Sequence, residues 1–552
     1  MSSLISDSSG RLAALRQPGL PWLRGGAFVI AALVGLPIVV VLLNLLVPRA
    51  ETWRHLASTV LPDYIVNTLL LATLVGAGVV VLGVACAWLT TACRFPMARF
   101  FAWALLLPLA TPAYVMAYVY TDFLQFAGPL QSALRAATGW RAGEYWFPDV
   151  RSLGGAAFVL IFVLYPYVYL LARAALLEQS SAALESARLL GHGPWRSFFR
   201  IALPLARPGI AAGTALCLME TLADYGTVAY FGVDTFSTGI FRAWFSLGDA
   251  VAAAQLGALL LAGVAAVLAL ERLARGGAAF HSSGRGRVHR HALSGRRALG
   301  AWLACATPLV LGFVLPAALL LRLALQEEGM NIGARFLRLA WNSLTLATAA
   351  AFLAVACALV SGYAVRVRSG FAERAASRIA GLGYAIPGVV IAVGVMVPLT
   401  RMDQWLAAVL PAGSAPTRLV LSGTIVALLY AYLVRFLAVA LQSVEAGLAK
   451  IRPSMDDAAR SLGAGPAETL ARVHAPLLAR SLMAAALLVF VDVMKELPAT
   501  LALRPFDFDT LAVQTFNLAK DERLAEASIP ALAIVAVGLI PVYLLARSMA
   551  RR

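Results

Sequence analysis

Twelve runs of about twenty apolar residues constrain this chain more than any other feature, because that length is what a helix needs to cross the hydrocarbon core of a bilayer. They are Ala27–Val47, Ile65–Thr91, Phe100–Tyr120, Leu153–Leu171, Ile210–Phe231 and Ala250–Leu270, then Leu299–Leu325, Asn342–Val365, Ile379–Leu399, Leu419–Leu441, Leu482–Leu501 and Ser528–Ala546. A spanning backbone in lipid must satisfy its own hydrogen bonds, so the expected fold is an all-α integral membrane protein of about twelve transmembrane helices. Composition agrees, at 61% hydrophobic and 13% charged over 552 residues. The formal charge of +17 would suit nucleic acid only on the face of a soluble domain, and the runs leave no room for one. The first run follows Arg11, Arg16 and Arg24 without an A-x-A cleavage pattern, and reads as a retained anchor.

Loop charge sets the orientation. With the amino terminus inside, the inner segments hold roughly 29 Lys and Arg and the outer ones roughly 13, which the positive-inside rule favours. Both termini and the basic linker then face the cytoplasm.

Two polar interruptions share one grammar. Glu185-Ser186-Ala187, three residues, Gly191, nine residues, then Ile201-x-Leu203-Pro204 returns about 272 positions later as Asp457-Ala458-Ala459, Gly463, Val473-x-Ala475-Pro476. Each contains a breaker, Gly191-His192-Gly193-Pro194 and Gly463-Ala464-Gly465-Pro466. Glycine takes the positive φ that ends a helix, and proline suits the first turn of the next, so each interruption is expected as a helix, a sharp turn and a second short helix. The repeat extends to Asn67–Thr73 against Asn342–Thr348 and to Pro112 against Pro387, both offset by about 275. The expected organisation is a first six-span half at 1–271, a cytoplasmic basic linker at 272–298 and a second half at 299–552. Because six is even, the halves share one orientation and are related by a pseudo-twofold axis along the membrane normal.

The E-A-A, G, I-x-L-P pattern resembles the cytoplasmic loop of the membrane subunits of binding-protein-dependent ABC importers. That resemblance implies a MetI-like fold and assigns coupling to a separate ATPase to Glu185, Ala187, Gly191 and Pro194, and to Asp457, Ala459, Gly463 and Pro466. Ser186, Asp457, Val473 and Ala475 depart from the pattern. The partners it implies are two copies of an ATP-binding subunit and a periplasmic substrate-binding protein, with the lipid bilayer as solvent and no nucleic acid, in a bacterial inner membrane. No G-x-x-x-x-G-K-[ST] occurs, so any ATP is bound elsewhere. The chain is expected to hold no catalytic residues, no cofactor and no metal site.

Ionisable groups inside spans are costly and are candidates for function. Glu220 and Asp224 lie one turn apart in the fifth run, and Asp492 and Glu496, beside Lys495, one turn apart in the eleventh. Two readings stand: the acids line a translocation pathway between the halves, or they hydrogen-bond locally and stabilise helix breaks near Gly226 and Pro498. The segments Leu222–Gly232 and Lys495–Thr510 resemble those of ferric-iron importer permeases with both halves fused in one chain, which makes ferric iron the expected cargo and thiamine or phosphonate the alternatives. A proton-coupled secondary transporter of twelve spans is the rival of another class, and it has no need of two coupling loops. An enzyme is not indicated, since His55, His192 and His474 are expected in loops without partners, and the five cysteines read as small buried apolar residues.

Overall fold

The computed structural model describes residues 21–141, 143–178, 193–275, 290–326, 333–368, 370–409 and 421–550. Among them eleven helices are long and apolar enough to cross a membrane, and one bent pair, counted as a single span, makes a twelfth.

The first two runs form α1 (Pro21–Leu43) and α2 (Leu61–Ala92). The third is not one helix. α3 (Ala98–Ala104) and a 3₁₀ turn (Leu107–Ala110) stop before Pro112, and the chain resumes as α4 (Ala113–Leu124) after a 91° bend. Proline has no amide to continue the ladder and pushes the residue before it out of helical backbone, here Thr111 with ψ 123°. α5 (Leu153–Glu178) is the fourth span. The fifth, expected over Ile210–Phe231, is shifted: α6 (Leu203–Ala223) ends at Asp224, and the short α7 (Gly226–Tyr230) and α8 (Phe236–Phe241) succeed it. Then come α9 (Ala250–Arg275), a seventh span built of α10 (Gly295–Leu309), a π-helical turn (Val310–Val314) and α11 (Leu315–Gln326), and α12 (Ala334–Val367).

The second repeat breaks where the first does. The run Ile379–Leu399 is divided at Pro387 into α13 (Phe371–Ala380) and α14 (Gly388–Val409), with Ile386 extended at ψ 126°. After α15 (Ile425–Leu448) and the short α16 (Pro453–Ser461), the run Leu482–Leu501 becomes α17 (Ala475–Met494), a break, and α18 (Pro498–Leu503). α19 (Leu511–Lys520) and α20 (Leu524–Ala550) complete the chain. The end of the basic linker is pinned: β1 (Cys93–Arg94) pairs in parallel with β2 (His291–Ala292), and the Leu293 amide donates to the Arg94 carbonyl at 2.9 Å. Four of the five cysteines are buried and Cys357 is part-buried.

The compact units differ from the sequence halves 1–271 and 299–552. One unit holds residues 1–44, 342–494 and 502–508, the other 45–341, 495–501 and 509–552, so each half contributes its opening span to the unit formed mainly by the other. Packing decides this, not adjacency along the chain. In the first unit α1 lies against α14 so closely that a Cβ on Gly394 would sit 2.6 Å from the Pro37 carbonyl oxygen, and Tyr430 donates to the Leu33 carbonyl at 2.6 Å.

In the second unit α5 is the central helix, with α2 and α6 beside it. α2 and α5 run parallel, with Gly78 facing Ile161 and Gly83 facing Val168. Small residues allow that approach, which is how helices gain contact where lipid supplies no hydrophobic drive. Tyr165 and Tyr169 on α5 donate to the carbonyls of Leu105 and Ala102 at 3.0 and 2.8 Å, anchoring the bent third span. A Cβ on Gly213 of α6 would fall 2.7 Å from the Val168 Cα. Gly213→Val is therefore expected to lower stability by about 1–3 kcal/mol, the range for overpacking. Thermal melting in detergent checks it, and an unchanged midpoint would remove the close approach of α5 and α6.

Candidate functional site

The second polar interruption folds from its own sequence. Pro453 opens α16, and its end is a Schellman turn: the Gly463 amide donates to the Arg460 carbonyl at 2.9 Å and the Ala464 amide to the Ala459 carbonyl at 3.0 Å, with Gly463 at φ +84°. Pro466 starts the next helix. That helix is not short, because Pro466–Thr469 continues through a π-helical turn, Leu470–His474, into α17. Asp457 is exposed and paired with Arg460 on the same helix, whereas Ala459 is buried. Met455 and Leu462 are exposed, Leu462 at 88%, although nothing in their spacing singled them out. In the first interruption Glu185, Ala187 and Gly191 lie outside the described residues. Pro194 begins the equivalent helix, Pro194–Ser197, which enters α6 through a π-helical turn at Phe198–Ala202.

His474 corrects the expectation of a loop histidine. It is 1% exposed inside a helix, and its Nε2 lies 2.6 Å from Asp456 Oδ1. Arg366, at the end of α12, reaches the other oxygen of Asp456 at 2.6 Å and also donates to the carbonyls of Leu448 and Ile451 at 2.8 and 3.1 Å. The arginine thus ties three segments together at the foot of α16. No spacing rule connects 366, 456 and 474, so only the folded chain shows the set. His55 is likewise helical, in Ala50–Ser58.

The intramembrane acids separate into two groups. Asp224 ends α6 and caps α7: its Oδ1 accepts from the amides of Thr227 and Val228 at 3.0 and 3.1 Å, and its Oδ2 from the Thr227 hydroxyl at 2.9 Å. Glu496, 5% exposed, does the same for α18, accepting from the amides of Ala499 and Thr500 at 2.9 Å each and from the Thr500 hydroxyl. A helix that starts inside the membrane exposes amides that water cannot reach, and a carboxylate answers both their hydrogen-bonding demand and their positive end. The local reading thus describes what these two residues do. Glu220, Asp492 and Lys495 are part-buried one turn or less before the caps.

Beyond the first break the second unit contains a cavity of about 630 Å³, lined by Arg151, Tyr225, Asp234, Arg242, Phe516 and Lys520 among others. None of the five residues expected along a pathway lines it. Asn67, which stood out only as part of the repeat, supports its wall by donating to the Asp234 carbonyl at 2.9 Å.

The family described as "Binding-protein-dependent transport system inner membrane component" matches residues 80–276 and again 354–552. The chain is 26% identical over 529 residues to the Fe(3+)-transport system permease protein FbpB 2 of Haemophilus influenzae, covering 93% of this chain and 96% of that one. It is 28% identical to a putative 2-aminoethylphosphonate transport system permease protein of Salmonella choleraesuis over 34% of this chain and 65% of the relative. It is 31% identical to the molybdenum transport system permease protein ModB of Escherichia coli over 27% of this chain and 62% of the relative.

The caps make a local prediction. Asp224→Ala or Glu496→Ala removes the acceptors of two amides, at about 0.5–2 kcal/mol for a cap. Hydrogen exchange is expected to accelerate roughly fivefold or more over Gly226–Tyr230 in the first variant and over Pro498–Leu503 in the second, and less in Asp224→Asn, which keeps an accepting oxygen. Equal protection in the alanine variants would exclude the capping role.

Proposed function

This chain belongs to the binding-protein-dependent transport system inner membrane components, with the family's domain present twice in one polypeptide, and from that premise we propose that this multi-pass ABC importer permease carries ferric iron across the bacterial inner membrane. The observation that supports the cargo is extent. The Fe(3+)-transport relative aligns over 96% of its own length and 93% of this chain, whereas the shorter phosphonate and molybdenum relatives align over 65% and 62% of theirs.

In this reading each of two ATPase subunits docks on one polar hairpin from the cytoplasm, and a binding protein delivers cargo from the other side. Asp457 and the exposed Leu462 supply charge and apolar area for that contact. The helix that leaves the second hairpin is continuous from Ala467 to Met494, 28 residues and about 42 Å long. A tilt imposed at Gly463 is carried along this rod to the break capped by Glu496. Phe198–Ala223 does the same in the first repeat, ending at Asp224. ATP binding and hydrolysis thereby alternate access to the pathway.

Uptake by a strain deleted for this chain, supplied in turn with radiolabelled iron, 2-aminoethylphosphonate, molybdate and thiamine, tests the reading. Loss of iron uptake alone supports it; loss of another cargo instead overturns iron, and loss of none overturns transport. Gly463→Val forces a β-branched residue into left-handed backbone, at about 1–2 kcal/mol or more. It is expected to lower transport at least tenfold while the protein still inserts. Asp457→Lys is expected to reduce co-purification of the ATPase, and full recovery of the complex would count against this docking surface.

A further inference from the structure

The cavity in the second unit lies at the start of α5, the end opposite Glu178. Arg151 precedes the first residue of α5, while the first polar interruption comes after its last, and the 26 residues between them extend about 39 Å. The cavity walls come from both repeats, Tyr225 to Ser246 from the first and Leu501, Phe516, Ala519 and Lys520 from the second. In the importer reading, on which this inference rests, that is the side on which cargo arrives. Its volume of about 630 Å³ is within the range of small-molecule sites.

Its charge is the reverse of what a bare metal cation needs. Three cations, Arg151, Arg242 and Lys520, face it against one carboxylate, Asp234. Arg242 is held in place, donating to Asp234 Oδ1 at 2.7 Å and to the Tyr64 hydroxyl at 3.2 Å, yet its side chain stays 46% exposed. Arg151 pairs with Glu522 at 3.3 Å and is also 46% exposed. Among the described residues no acid lies within ion-pair distance of Lys520, which is exposed at the end of α19. Outside the lining, Glu522 is taken up by Arg151, Asp122 acts on Tyr230 without lining the cavity, and Asp224 and Glu496 are engaged by backbone amides. Guanidinium forks and an ammonium present many donors and no acceptor, the chemistry that recognises carboxylate, phosphate and related oxygens.

We propose that this cavity receives the cargo as an oxygen-rich anion, so that a metal carried by this permease enters within an anionic chelate or as an oxyanion and not as a free cation. Arg242 and Arg151 orient the anion's oxygens, Lys520 supplies the uncompensated charge, and the ring faces of Tyr225 and Phe516 pack its carbon or its flat side.

The test uses the purified full-length chain in lipid nanodiscs at matched ionic strength, with thermal stability as the readout. The probes are sodium molybdate, potassium phosphate, ferric citrate and, as a soluble trivalent cation, hexaamminecobalt(III) chloride. At least one anion is expected to raise the melting midpoint saturably, with an apparent Kd raised at least fivefold by Lys520→Gln and further by Arg242→Gln. Stabilisation by ferric citrate alone identifies a chelate; stabilisation by molybdate or phosphate identifies an oxyanion. The proposal is overturned if no anion stabilises the chain, if Lys520→Gln leaves the affinity unchanged, or if the cobalt cation binds more tightly than every anion. Arg242 also holds Tyr64 and Asp234, so where its variant does not fold, Lys520→Gln on an exposed side chain decides. The measurement needs neither ATPase nor binding protein, so a negative result overturns the anionic site and leaves the importer reading to the uptake assay.

Discussion

A helix that stops inside a bilayer leaves amide hydrogens with no water to bond, and the architecture of both repeats depends on how that demand is met. Here one acidic side chain at the break of the fifth span, and one at the break of the eleventh, accepts two backbone amides and a threonine hydroxyl. Without such caps the chain could not leave the spanning direction at Asp224 or Glu496 without orphaned polar groups in hydrocarbon. The walls of the cavity are the segments released by the first of these breaks and the helix reached after the second. A structural acid thus creates the space in which basic residues work.

The units around these breaks are built by close backbone approach and not by greasy bulk. Gly83 and Gly213 meet Val168 from two sides, and Gly394 meets Pro37. Because such contacts need only complementary surfaces, the opening helix of a repeat is free to pack away from its own sequence half. Residues 1–44 group with 342–494, and the seventh span groups with 45–341.

Much of this was legible in the sequence, and the remainder failed for identifiable reasons. Run length announced the spans because the bilayer fixes it, and Gly463 announced its turn because only positive φ ends α16 that way. Run length did not show where spans end. Leu482–Leu501 and Ile210–Phe231 are apolar on both sides of their breaks, and hydropathy ignores a carboxylate that turns back onto the chain. The proline signal at Pro112 and Pro387 was visible as repetition, although its meaning as a divided span needed the extended Thr111 and Ile386. Of the two readings of the acid pairs, sequence displays the charge that suggests a pathway, whereas the amides that Asp224 and Glu496 accept appear only in the folded chain. The set of Arg366, Asp456 and His474, and the basic cavity, join residues too far apart for any local pattern.

The π-helical turns separate one pair of equivalent helices from another. A π turn is an α-helix that has accommodated one extra residue, and here two of them occupy Phe198–Ala202 and Leu470–His474, at the same offset as the docking motifs. Both copies thus carry the wider turn at one register, where the helix leaving each docking hairpin enters the membrane. The turn at Val310–Val314 differs, for the corresponding opening span, Pro21–Leu43, is α-helical throughout. The two opening helices therefore differ in local winding, while the pair leading from the docking hairpins into the membrane shares one geometry.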